Sequence, residues 1–199
     1  GRNYSAGKAD MADSLEKIYV TGDAEAVKIV LPETVKEINF SGSITKLELS
    51  TLGDIIFPAG LEVLDIDVPW EKINIPEGVK NASIHGENLK AIELPETIRK
   101  IGISGCKALE KFAMPDSVTE MLPDAFTECS SLKEIQISPN VKGVYIGQFR
   151  ECDALEKITM PIIAGNIMQM SELCSQMPDL KELVINGNAE TIPSLYFYG

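Results

Sequence analysis

The sequence has few of the features that mark an enzyme or a membrane protein. No apolar run approaches the roughly 20 residues that a transmembrane helix needs. There is a single histidine, and the common motifs of nucleotide binding, zinc hydrolysis and serine hydrolysis are absent from the sequence. Aromatic residues make up only 6% of the chain, so aliphatic side chains must fill the core.

Positive charge is also scarce. Eighteen Lys and Arg residues stand against thirty Asp and Glu, which leaves a net charge of −12. Nucleic acids and anionic membranes are bound mainly through Lys and Arg, so both are disfavoured as partners. The 44% hydrophobic content still predicts a folded chain, and the negative charge favours its solubility.

The first residues are small and polar, which predicts a flexible tether over residues 1–14. The chain begins at Gly1 without an initiator methionine. We therefore expect that a leader has been removed and that the native protein is exported, either to the extracellular space or to an anchored position on the cell surface.

One phrase recurs along the chain: a leucine, two polar residues, then two aliphatic residues that flank a single variable position. It is clear at Leu89, Leu109, Leu132, Leu155 and Leu180, with steps of 20, 23, 23 and 25 residues, and proline usually follows it. Weaker copies contain Ile18, Ile29, Leu47, Ile55 and Ile73. Repeats of this length are typical of solenoid proteins.

A second phrase of similar pattern lies between the copies of the first, for example around Ile38, Leu64, Ile101 and Val144. Both phrases alternate with period two, so each repeat predicts two short strands. Since a single coil cannot bury its own leucines, the coils must stack. The sequence therefore predicts a β-rich leucine-rich-repeat solenoid, a right-handed superhelix of about eight coils with little helix.

The predicted domain covers residues 15–199. It divides into degenerate coils at 15–88, regular coils at 89–185 and a C-terminal cap at 186–199, where Tyr196, Phe197 and Tyr198 are expected to cover the last coil. Apolar residues at helical spacing also predict a short helix over 166–176. The register before residue 70 is left open.

Four cysteines follow the repeat. Cys106, Cys129 and Cys152 each lie three residues before a repeat leucine, and Cys174 lies six before Leu180. Equal phase predicts an inward column of side chains. Closely spaced metal ligands such as C-x₂-C are absent from the sequence, and parallel inward vectors give poor disulfide geometry, so buried free thiols are favoured.

The segment from Asp124 to Ile137 combines Ala-Phe, a small loop, a cysteine and the leucine phrase. It resembles the BspA-like leucine-rich repeat family, and the resemblance is strong from about residue 89 to 185. The family is associated with secreted or surface-anchored proteins, some linked to adhesion to host matrix proteins and other cells. The resemblance implies a protein or glycoprotein partner, and it offers no catalytic motif to carry over.

The position between the two aliphatic residues of the first phrase should point outward. These residues form a predicted column that a partner would meet, and they are Tyr19, Glu48, Asn74, Glu93, Ala113, Gln136, Thr159 and Val184. From them Glu48, Asn74, Glu93, Gln136 and Thr159 are the candidate partner-binding face. The column has no aromatic band, so broad polar contacts are expected rather than a deep pocket. The alternative is a solvated face on a structural spacer.

Other candidate sites have plainer interpretations. His85 is expected at the surface, and Asp65 and Asp67 should point outward together, but two carboxylates are too few for a calcium ion. Repeated Glu-Lys pairs predict mixed-charge ladders on the sheet surface. No cofactor or metal site is predicted, and a binding module is expected instead of an enzyme.

Overall fold

The computed structural model describes residues 15–30, 37–41, 44–50, 54–57, 60–161 and 177–186. The predicted tether, the helix at 166–176, the cap from residue 187 onward and Cys174 all lie outside the described residues. Asn186, predicted to begin the cap, is the last residue of a strand.

The chain winds as a β-solenoid whose strands lie on two sides. All strand pairs are parallel, and each strand pairs with the equivalent strand of a neighbouring turn. The first side carries β1 (Lys17–Thr21), β3 (Glu37–Ser41), β5 (Asp54–Ile56), β7 (Lys72–Asn74), β9 (Ala91–Glu93), β11 (Lys111–Ala113), β13 (Glu134–Gln136), β14 (Lys157–Pro161) and β15 (Glu182–Asn186).

The second side is one six-stranded sheet in the order β12-β10-β8-β6-β4-β2. Its strands are β2 (Ala24–Val30), β4 (Ile44–Ser50), β6 (Val63–Asp67), β8 (Asn81–His85), β10 (Lys100–Ser104) and β12 (Glu120–Met121). The first side is divided into three ladders, β1-β3-β5, β7-β9 and β11-β13-β14-β15.

About six turns therefore carry both strands, fewer than the eight coils predicted. The difference arises after β12, where the second phrase around Val144 forms no strand. A short 3₁₀ helix, Ile146–Phe149, follows in its place. The backbone N–H of Tyr145 donates to the side chain of Gln148 instead of to a neighbouring strand, which turns the chain out of the extended conformation.

Two corners repeat along the solenoid. After each proline of the first phrase a tight turn closes, as in Ile98 N–H to Pro95 O and Val118 N–H to Pro115 O, both at 3.1 Å. At the other corner the repeat leucine donates to the residue three before it. That corner residue is successively Gly86, Cys106, Cys129, Cys152 and Met177.

The corner residues confirm the predicted cysteine column. Cys106, Cys129 and Cys152 are buried and unpaired thiols. In the last described turn Met177 occupies the equivalent place, because it lies three residues before Leu180. Burial raises the pKa of Cys152 to about 12, and the hydrogen bond with Cys129, together with burial, raises that of Cys106.

The interior is a continuous core of aliphatic side chains from both sides of the solenoid. Aromatic rings enter it in the regular turns, where the ring of Phe126 stacks on Phe149 with centroids 5.8 Å apart and lies 5.5 Å from Phe112. Burial of this stacked core is the main stabilising term, since each turn buries its leucines only against its neighbours.

Candidate functional site

Four of the five candidate residues point outward on the first side of the solenoid. Asn74 lies opposite Glu93 in the β7-β9 ladder, and Gln136 lies opposite Thr159 in the β13-β14 ladder. Strand spacing of about 4.8 Å places such neighbours within reach of one extended ligand. Ala113 lies next to Gln136 and Val184 lies next to Thr159, so these two residues extend the row of Gln136 and Thr159 at its two ends.

The fifth candidate, Glu48, lies elsewhere. It belongs to β4 on the second side, where it is opposite Lys28 and Asp65, so the prediction that it shares the column is wrong. The phrase around Ile29 was likewise predicted on the first side, but it forms β2 on the second side. Proline after a strand suggested the first side, but Pro32 follows a second-side strand, so proline is not specific to one side.

In the N-terminal part of the first side, the predicted Tyr19 is joined by two outward residues that the predicted column did not include, Asn39 and Ile56. Tyr19, Asn39 and Ile56 are in register across β1, β3 and β5. Tyr19 is 66% exposed and Ile56 is 61% exposed, which makes this end more apolar than the remainder of the column. Strict alternation of the two phrases along the chain was the signal that could have found Asn39 and Ile56.

Ion pairs border the outward row in the regular turns. The predicted Glu-Lys pairs bridge successive turns in both directions, with Lys111 to Glu134 at 3.0 Å and Lys133 to Glu110 at 3.1 Å. The next turn repeats the arrangement through Lys157 and Glu182 at 2.8 Å. These contacts are exposed and contribute little to stability, but they neutralise the border of an otherwise uncharged row.

A shallow cavity of about 280 Å³ opens on this row. Its lining combines the outward Ala113, Gln136 and Thr159 with the flanking ion-paired side chains Lys111 and Glu134. The polar groups of Gln136 and Thr159 can donate and accept hydrogen bonds, and the Ala113 methyl leaves room beside them. The surface is thus suited to polar contacts with a broad partner.

Glu48 has a different electrostatic setting. Its carboxylate accepts from Lys46 Nζ at 2.7 Å and Lys28 Nζ at 2.9 Å. The hydrogen bonds and positive charges of Lys46 and Lys28 lower the pKa of Glu48 to about 2, and the hydrogen bond from Lys46 has the largest effect. The carboxylate of Glu48 is therefore already paired with two lysines of the same chain on the surface of the second side.

His85 was predicted to lie at the surface, and it is half-buried at the end of β8, where it lines an open cavity. Its Nδ1 lies 2.7 Å from Ser104 Oγ, and its Nε2 lies 3.2 Å from Ser83 Oγ. These hydrogen bonds connect the ring to two hydroxyls, whereas a catalytic triad orients its histidine with a carboxylate. A cavity of about 390 Å³, also lined by Asp67 and Lys107, borders the ring.

Asp65 and Asp67 are exposed on β6, as their alternation predicted. Within the described ranges, no three His, Cys, Asp or Glu side chains come together as a metal-binding group. The described part of the chain also contains no helix with the length and apolar character needed to cross a bilayer.

Two crystal structures are similar to the chain. A leucine rich cell surface protein from Faecalibacterium prausnitzii A2-165 is 15% identical, with 89% of this chain and 92% of that chain covered and a TM-score of 0.26. A leucine-rich repeat protein from Bacteroides ovatus ATCC 8483 is 20% identical, with 80% of this chain and 60% of that one covered and a TM-score of 0.27.

No curated protein matches the sequence. The BspA type leucine rich repeat region matches in six copies over residues 77–199, which is more than half of the chain. These matched residues include the Phe126 and Cys129 segment and all five of the clear leucine phrases, which begin at Leu89, Leu109, Leu132, Leu155 and Leu180. The chain therefore belongs to the BspA type leucine-rich repeat family.

Proposed function

We propose that this chain is a non-catalytic binding module, exported or held at a cell surface, that recognises a protein or glycoprotein in an adhesion-type contact. The partner meets the first side of the solenoid along Asn74, Glu93, Gln136 and Thr159. The observation that carries the proposal is the uncharged, in-register row of β11, β13, β14 and β15, bordered by neutralised ion pairs.

The physical basis is the way a solenoid presents side chains. Rigid parallel ladders fix the spacing of successive outward residues, so a partner is bound over a broad area at low cost in conformational entropy. The charged groups beside the row are already paired across turns, so a ligand that covers the row does not leave an unpaired charge buried at the interface. Both features favour an extended surface over a small molecule.

The test is binding of the purified, tag-free protein to extracellular-matrix proteins, mucins and bacterial glycans at low and high salt. The variant pair Gln136→Arg and Thr159→Arg places bulky charges in the row. We expect either change to weaken a saturable interaction by about tenfold or more, since an unpaired charge buried at an interface is strongly unfavourable.

Asn81→Arg is the matched control, because Asn81 is exposed on the second side. Equal loss of binding in the control would place the interaction elsewhere. Absence of any saturable partner would favour a structural spacer, in which the outward row is only a solvated face.

A further inference from the structure

A second surface lies where the sheet of the second side ends. Beyond β12 a cavity of about 500 Å³ opens, with mainly apolar walls that include Met121, Pro123 and Tyr145. Thr119, Glu120 and Lys142 add polar groups to its rim. The phrase around Val144 forms no strand, so the second sheet ends at β12. The missing strand leaves a recess in the outer surface of the solenoid, and this recess is the cavity.

Tyr145 supplies an aromatic ring at the edge of the cavity. Its side chain is 55% exposed, although exposed large hydrophobic side chains are few among the described residues. The ring lies against Gly143, where an added β-carbon would come within 3.1 Å of Tyr145 Oη and 3.2 Å of two ring carbons. The hydroxyl end of the ring thus lies close to the backbone of Gly143.

The position of Tyr145 is fixed by a buried amide. Gln148 is only 1% exposed. Its Oε1 accepts from the Tyr145 backbone N–H at 2.8 Å, and its Nε2 donates to Leu122 O at 2.9 Å. The backbone of Tyr145 is therefore connected to the preceding turn, which is the kind of support that keeps a binding group in one place.

Lys142 lines the same cavity as Tyr145 and differs from the lysines of the ladders. Lys100 at the same cavity pairs with Glu120. Within the residues that the structure describes, the ammonium of Lys142 has no carboxylate partner, and only its backbone N–H is bonded, to Thr119 O. The cavity therefore offers one available positive charge in a protein whose net charge is −12.

We propose that this cavity binds a saccharide unit that carries a carboxylate. The apolar C–H face of the sugar ring stacks on Tyr145, as an exposed aromatic ring with a polar tip allows. The carboxylate pairs with Lys142 in a charge-assisted hydrogen bond, and the rim groups of Thr119 and Glu120 bond the hydroxyls. The site is on the other side of the solenoid from the proposed partner face and does not depend on it.

The experiment is calorimetric titration of the whole chain with a trimer of galacturonic acid, in parallel with the neutral galactose trimer of the same linkage. We expect saturable binding of the acidic trimer and weak or absent binding of the neutral one. Lys142→Gln should weaken binding by about tenfold, because it removes a charge-assisted hydrogen bond. Lys142→Arg should retain most of it.

Two further variants test the ring. Tyr145→Ala removes the stacking surface, and Gly143→Ala displaces the ring from its place, so each should reduce affinity while circular dichroism and thermal unfolding remain close to the parent. Lys133→Gln, on the first side, is the charge-matched control and should change nothing at this site.

Several outcomes would overturn the proposal. They are the absence of saturable binding, equal affinity for both trimers, or equal losses in Lys142→Gln and Lys133→Gln. Equal binding of a pentaglutamate peptide would assign the cavity to carboxylates in general and would also reject the saccharide. Because the probe is a free oligosaccharide, none of these results bears on the partner face of the first side.

Discussion

Gly86 lies directly beneath the carbonyl of Val68 in the preceding turn. A β-carbon at Gly86 would come 2.6 Å from Val68 O and 2.8 Å from Leu89 Cδ1. Gly86 occupies the corner that cysteine occupies in the later turns, so the same position of the repeat accepts a side chain in one turn and excludes it in another. The distance between one turn and the next at this corner therefore decides whether the position can hold a side chain or must be glycine.

Gly86→Ala should destabilise the solenoid. The closest atom is a backbone oxygen, which cannot move aside as a side chain can, so overpacking should cost about 1–3 kcal/mol. Urea unfolding followed by circular dichroism measures the change. Gly147→Ala is the control, because nothing lies within 4 Å of the added carbon there. Equal midpoints for the two variants would show that the turns are free to separate.

Phe126→Ala should be among the most destabilising single changes. The ring is fully buried and contacts Phe112 and Phe149 in neighbouring turns, so its removal leaves a cavity and should cost about 3–5 kcal/mol. Tyr19→Ala, at an exposed ring, should stay within about 0.5 kcal/mol of the parent. Chemical denaturation of both variants checks the contrast, and a small loss in Phe126→Ala would contradict the stacked core.

The three described cysteines should resist labelling in the native protein. All three side chains are buried, which shields them from the reagent. The raised pKa values of Cys106 and Cys152 also leave those two thiols with almost no thiolate at pH 8. In a Cys174→Ser background, a thiol reagent should react slowly under native conditions and with three thiols in denaturant. Rapid reaction of the folded protein would contradict the inward column.

Glu48 should contribute to stability in a pH-dependent way. Its pKa is lowered to about 2 in the folded state, so the contribution is present above the unfolded value of about 4.5 and is lost as the pH falls towards 2. Glu48→Gln should lower thermal stability slightly at pH 7. The difference from the parent should shrink below pH 4 and in high salt, because exposed ion pairs are screened.

Thermal unfolding of both proteins from pH 2 to 7 measures this effect. Asp65→Asn is a useful control, since Asp65 is exposed on the same side, opposite Glu48 in the neighbouring strand. A constant difference between Glu48→Gln and the parent at every pH would indicate a steric effect of the amide and not the loss of the two ion pairs.

Much of the fold followed from period-two alternation repeated at about twenty residues. The regular turns from Leu89 onward, the inward cysteines and the ladders of Glu-Lys pairs all depend on local pattern and equal phase, which the sequence displays directly. The resemblance at Phe126 and Cys129 identified the same family that the comparison shows.

The sequence did not show which strands before residue 70 belong to which side of the solenoid. The two phrases there are nearly identical, so a shift by one phrase moves Glu48 from one side of the solenoid to the other without violating alternation. Only the pairing of β4 with β2 and β6 resolves this ambiguity. The candidate face consequently keeps Asn74, Glu93, Gln136 and Thr159 and loses Glu48.

The sequence by itself determined that this chain is a stacked, β-rich leucine-rich-repeat solenoid with an acidic surface, because repeat length and alternation act within each turn. The tertiary structure decided which turns approach closely enough to require Gly86, where the second sheet ends and which charges are paired. Those features depend on contacts between residues about twenty positions apart, such as Lys111 with Glu134 and Gln148 with Leu122, and local pattern does not specify them.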